Sequence, residues 1–340
     1  MSEGRNIALD GVRGLAALSV ALGHCLLMVS GVDVWGKTAA DFPIMPPEQI
    51  TERLLFLLFP SNAAVMVFFV LSGHVLWASF ARKRMTAADF PDYLLARLFR
   101  LLPLVVVSAP IYALVSAPPM GELLANMLLL STSMNGVLWS LQTEMAGSLV
   151  IFLVWLASRD NPLKLVAALC LTVAAVPFCR GNHLVVYLPA FVLGALTHHV
   201  PAQIWRSRAL LCIALALLLL PSLYFSYRGV TRVFEIIAAT AIVGFVAANQ
   251  PAALATPIMK ALGAISYPLY VIHPLGVAVT IGITGQLADT NFLFRFAIFA
   301  IASVGIAAVL AWLLHVTVEM PALRSRPRLS RKPIGAPPAI

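Results

Sequence analysis

The stretch LDGVRGLAALSVALGHC, residues 9–25, is apolar enough to enter a lipid bilayer, yet it carries Asp10, Arg13 and His24. A charged side chain at the centre of a membrane helix costs about 2.5–3.5 kcal/mol on insertion scales, so such groups need partners or a task. The run from Ile7 to Val29 is not read as a cleaved signal peptide, because Asp10 and Arg13 lie inside it and no small-residue cleavage site follows. It is read as a retained span.

The whole chain has the same character. Of its 340 residues 61% are hydrophobic and 11% charged, with a mean hydropathy of +0.92, against about 45–50% and about 25% in an ordinary soluble domain. Further apolar stretches lie near residues 62–81, 98–117, 137–158, 163–178, 184–199, 209–226, 232–249, 261–285 and 293–318. Most approach the ~20 residues that a helix needs to cross the hydrocarbon, and those at 163–178 and 184–199 are the shortest. The expected fold class is all-α, a polytopic membrane protein of about ten transmembrane helices. The polar intervals at 30–61, 82–97 and 118–136 are too small for a second domain.

The net charge of +9 is not that of a nucleic-acid binder, since no basic block is interleaved with aromatic residues. It follows topology instead. With a cytoplasmic amino terminus and ten spans, all Lys and Arg except Lys37, Arg53, Arg180, Arg228, Arg232 and Arg295 fall on the inside, as the positive-inside rule requires. Both termini are then cytoplasmic. Residues 1–322 form the membrane domain, and 323–340 read as a basic, proline-rich, disordered tail held near anionic lipid. Cys25, Cys170, Cys179 and Cys212 show no CxxC spacing, and no metal site is expected.

Arg13 and His24 are eleven residues apart, three turns plus ~20°, so they share one helix face ~16 Å apart along the axis. Arg97 and Arg100 stand three apart at the start of a span and face the same way. Snorkelling to headgroups, or for Arg13 a pair with Asp10, would account for each arginine singly. Together the three suit an anion with several phosphates, because a guanidinium binds phosphate bidentately and keeps its charge. Glu144 reads as the one carboxylate well inside an apolar span, at a depth close to His24, where it would fix the tautomer of the histidine. The alternative is a polar tie between helices.

In SYPLYVIHPLG, Tyr267, Tyr270 and His273 follow at i+3 steps while Pro268 and Pro274 interrupt the helix, the pattern of a helix lining a cavity. His74 reads as a satisfied core histidine, His198 and His199 as interfacial, and His315 with Glu319 as a hydrogen-bonded i, i+4 pair. Cys25, turned ~100° from His24, reads as a packing residue.

Four separated motifs then resemble those of the acyltransferase-3 family of integral membrane acyltransferases. They are LDGVRGLAALSVALGH with Arg13 and His24, FFVLSG at 68–73, RLFRLLP with Arg97, Arg100 and Pro103, and WSLQTE with Trp139, Ser140 and Glu144. YPLYVIHP, with Tyr270 and His273, and the closing EMP at Glu319 are weaker matches. The set occurs in the family order from residue 9 to residue 321.

The resemblance implies about ten spans around a central acyl-CoA tunnel. It also implies transfer of an acyl group, commonly acetyl, from cytoplasmic acyl-CoA to a hydroxyl of a carbohydrate or envelope glycan across a bacterial inner or plasma membrane. His74 departs from the family, which usually has an aromatic or apolar residue there.

On this reading His24, oriented by Glu144, is the catalytic base, and Arg13, Arg97 and Arg100 hold the donor. Ser140, Trp139, Tyr270 and His273 are candidates for substrate or oxyanion contact, and Asp10 supports Arg13. No permanently bound cofactor is expected, acyl-CoA being a donor substrate. The partners expected are acyl-CoA, a carbohydrate acceptor and membrane lipid, with no nucleic acid. The residues alone also fit a proton-coupled secondary transporter or a lipid-linked-sugar flippase using the same buried groups.

Overall fold

The structure is a computed structural model that describes residues 6–225, 229–286 and 290–327. It is built from helices, with no strand among the described residues. A bilayer core offers no water to backbone N–H and C=O groups, so a spanning chain of this composition must satisfy them within helices. We number the apolar helices α1 (Ile7–Ser30), α2 (Ser61–Lys83), α3 (Phe90–Ser116), α4 (Leu138–Ser158), α5 (Pro162–Ala175), α6 (Leu188–Leu196), α7 (Arg208–Leu219), α8 (Val230–Asn249), α9 (Pro257–Gln286) and α10 (Phe292–Leu314).

Local sequence sets their ends. Asn6 caps α1 by accepting from the Ala8 and Leu9 amides, Asn161 caps α5, Ser207 caps α7 and Asn291 caps α10, each satisfying amides that lack an intrahelical acceptor. Gly31, at φ 85°, ends α1, where a side chain would be strained.

Among the described residues eight helices are long and apolar enough to cross a membrane, while His183–His199 and Arg208–Tyr224 are shorter. The expected ten spans are therefore eight full-length helices plus two short ones. The stretch 163–178 belongs to the first group, within a run of 18 residues at Pro162–Cys179. The stretch 184–199 does not, because it is broken into His183–Val186, Leu188–Leu196 and a 3₁₀ turn at Thr197–His199.

The sequence placed the end of the membrane domain at residue 322. It falls inside the helix Met320–Ser325, which continues from the last span. The rest of the expected tail, from residue 328, lies outside the described residues.

Helices α1, α2 and α9 form the centre, with α1 packed on α9 and α2, and α2 on α4, α6 and α8. In lipid, helix association rests on close packing, which small residues permit. A Cβ on Gly14 would lie 2.7 Å from the Gly263 amide nitrogen, and one on Gly73 would collide with the Phe191 carbonyl. Glycine at these two crossings brings α1 against α9 and α2 against α6. By contrast α5 buries only Leu165 and α7 only Ala214, leaving apolar faces for lipid. Arg53, completely buried on the helix Pro47–Leu58, donates to the carbonyls of Lys37 (2.6 Å) and Ser222. That ties the connection before α2 to the end of α7.

Candidate functional site

Two cavities meet at three arginines. An open cleft of about 2360 Å³ lies where α1 and α3 begin and α2 and α8 end. Its cationic lining is Arg13, Arg82, Lys83, Arg97, Arg100 and Arg326. A smaller cavity of about 110 Å³ runs inward past Ser72, Glu144 and Leu101 to Ser140 and Tyr270. Arg13, Arg97 and Arg100 line both, so they stand at the neck between cleft and interior. The three arginines singled out by spacing are thus brought together from α1 and α3.

Each holds a carboxylate. Arg13 Nη1 lies 3.1 Å from Asp10 Oδ1, and Arg97 Nη2 lies 2.6 Å from Glu144 Oε1. Arg100 pairs with Glu319 and lies 5.3 Å over the Tyr267 ring. Glu319, only 2% exposed, also binds His315 Nδ1 at 2.7 Å, within a π-helical turn at His315–Glu319. A π turn widens the ladder and re-aims side chains, and here one carboxylate serves both groups. Arginine has five N–H donors, more than the one carboxylate contact of Arg97 uses. Arg97 Nε is buried with no hydrogen-bond partner, an unspent donor at the neck.

The expected pairing of Glu144 with His24 is not formed. Glu144 accepts from Arg97 and, at 3.2 Å, from Ser72 Oγ. His24 instead lies against His273, with Nδ1 of His24 2.6 Å from Nε2 of His273. Helix packing decides this, because α9 lies along α1 whereas α4 packs on α2. His24 is half-buried and lines neither cavity. It stands one side chain beyond the inner one, whose lining residue Tyr270 has its ring 5.9 Å from that of His273.

The oxyanion candidates are already engaged. Ser140 Oγ and the Tyr270 hydroxyl are hydrogen-bonded to each other at 2.7 Å, and both also reach the Val137 carbonyl, at 2.9 and 3.5 Å. Each hydroxyl has one proton to give, and both are spent. His273 is 1% exposed and uses both ring nitrogens. Trp139 lies outside the cavity lining and packs with Phe69, His183 and Tyr187.

The sequence reading missed the partners of Glu319 and Ser72, and it missed Glu235 altogether. Glu319 and Ser72 are partners of the arginine–carboxylate groups, and Glu235 is a second buried carboxylate within a span at 4% exposure. Glu144 is therefore not alone. The i, i+4 spacing of His315 and Glu319 was the one local signal for any of these. His74 binds Thr197 Oγ1 at 2.7 Å and its ring stacks on His198. Among the described residues no group of three or more His, Cys, Asp or Glu is placed to hold a metal ion.

Comparison with known proteins places this geometry in context. The family model for the acyltransferase domain of the acyltransferase-3 family matches residues 6–312. No curated protein and no solved structure matches the chain.

Proposed function

The chain belongs to the acyltransferase-3 family and is a membrane acyltransferase; from that premise we propose that it moves a short acyl group from cytoplasmic acyl-CoA to a hydroxyl of an envelope carbohydrate. The observation that carries this reading is the neck, where Arg13, Arg97 and Arg100 join a wide basic cleft to a narrow cavity that ends at Ser140 and Tyr270. Phosphates of the donor would bind at the cleft on the guanidinium groups. The thioester end of the pantetheine arm would reach the inner cavity.

His24 acts as the general base. The acceptor oxygen attacks the thioester carbonyl as its proton passes to His24. The new C–O bond forms, the C–S bond breaks, and the proton returns to the departing thiolate to give free CoA. Base catalysis of this kind contributes ~10²–10⁴ in rate. For donor and base to meet, the Ser140–Tyr270 contact at the inner end of the cavity must open, since Tyr270 separates that cavity from the histidine pair. With the basic cleft in the cytoplasm, both termini are cytoplasmic and the acceptor comes from the far side.

The test is acyl transfer from labelled acetyl-CoA by purified protein in nanodiscs, together with mass spectrometry of envelope glycans from cells with and without it. The expected result is CoA release with acetylated glycan, and loss of both in His24→Ala that still inserts. Near wild-type turnover in His24→Ala would overturn the assignment of the base, and no CoA release by the wild type would overturn the reaction.

A further inference from the structure

The dipeptide His273–Pro274 sits at the centre of α9. Proline has no N–H, so Pro274 cannot donate to the carbonyl four residues back, that of Tyr270. The vacancy is filled locally, since Nδ1 of His273 lies 2.8 Å from the Tyr270 carbonyl oxygen. A carbonyl only accepts. The proton of neutral His273 is therefore on Nδ1, and its Nε2 carries a lone pair.

That lone pair faces Nδ1 of His24 at 2.6 Å. The two ring planes are only 19° apart and their centroids 4.9 Å apart. A centroid separation so much longer than the N···N distance, with rings so nearly coplanar, means that they meet edge to edge along the N–H direction, the best alignment for a hydrogen bond. One proton must lie between the two nitrogens. Because His273 keeps its own on Nδ1, the shared proton belongs to Nδ1 of His24. The Nε2 of His24 is then unprotonated, as a base requires.

We infer that His273, held by the carbonyl that Pro274 leaves free, is the positioning residue that locks His24 in the Nδ1–H tautomer with Nε2 as the reactive nitrogen. A neutral imidazole thus fills the place that a carboxylate takes in other acyl-transfer sites. When Nε2 of His24 accepts the proton of the acceptor hydroxyl, its Nδ1–H remains donated to Nε2 of His273, and no proton leaves the pair. The catalytic consequence rests on the reading of His24 as base, whereas the tautomer does not.

Two measurements separate these. Histidine ¹⁵N spectra of the labelled protein in nanodiscs, with the His24 signal identified by its loss in His24→Ala, should show the proton of His24 on Nδ1. A proton on Nε2 would overturn the proposal whatever the activity. His273→Leu removes the acceptor while keeping the volume, and should lower kcat about 10²-fold with the donor KM unchanged and scramble the His24 tautomer. His273→Gln, whose side-chain oxygen accepts from Nδ1–H, should restore kcat to within about tenfold of wild type. Equal turnover in the Leu, Gln and wild-type proteins would refute a positioning role. Activity surviving in His24→Ala would instead remove the base and leave the spectrum to judge the pair.

Discussion

Glu144→Ala is the substitution whose outcome the structure redefines. The carboxylate lies 2.6 Å from Arg97, with side-chain exposures of 23% and 13% respectively. Two unit charges about 4 Å apart attract by ~4 kcal/mol at an effective dielectric of about 20. Removing one partner of a buried pair typically costs ~3–5 kcal/mol, because the other charge stays buried. The partial exposure of both groups puts Glu144→Ala at the low end, about 3 kcal/mol. Glu144→Gln keeps an acceptor for Arg97 and Ser72 and should cost about 1–2 kcal/mol.

The double variant Arg97→Met with Glu144→Leu removes both charges and should recover most of the loss. Reversible unfolding in mixed micelles, run as a double-mutant cycle, reads this directly, with an expected coupling of about 2–3 kcal/mol. In the acylation assay Glu144→Gln should raise the donor KM while kcat stays within a few-fold, because the carboxylate acts on an arginine at the neck. A coupling below about 0.5 kcal/mol, or a hundredfold fall in kcat at unchanged donor KM, would refute the reasoning.

Other outcomes follow from single contacts. Arg13→Lys replaces a planar fork by a point charge and should raise the donor KM, measured by acetyl-CoA titration, without changing the kcat severely. Gly73→Ala places a methyl against the Phe191 carbonyl and should destabilise the α2–α6 crossing by about 1–3 kcal/mol. Gly305→Ala on α10, with nothing within 4 Å of the new atom, should be neutral or stabilising in the same unfolding assay.

Asp41, in the connection before α2, is held below the ordinary aspartate value of 3.8, chiefly because its carboxylate accepts the Thr38 amide, then the Thr38 hydroxyl. A lowered value means that the contribution to local order is present above the ordinary value and is lost as pH falls through the lowered one. Protection of the Asp41 amide, which donates to the Thr38 carbonyl, should therefore fall in acid, and Asp41→Asn should remove that pH dependence of exchange.

What the sequence determined by itself is everything that hydropathy and short spacing can express. Runs of apolar residues specify helices, because a bilayer leaves the backbone no other partner, and the eight helices long enough to cross among the described residues overlap expected stretches. Arg97 and Arg100 were legible as a pair because an i, i+3 spacing places side chains on one face, and Arg13 joined them through its charge and the chemistry of phosphate binding. The break of the chain near 184–199 was visible only as shortness.

Which groups meet was decided by tertiary packing. The bonds from His24 to His273, from Arg100 to Glu319 and from Arg97 to Glu144 join residues 249, 219 and 47 positions apart. Depth in the membrane is readable from position along a span, and on depth alone Glu144 suited His24. Azimuth is not readable in this way, because it depends on which helices pack against one another. Glycines at 14 and 263 seat α9 on α1, and that contact gives His24 an imidazole for a neighbour while Glu144 goes to an arginine.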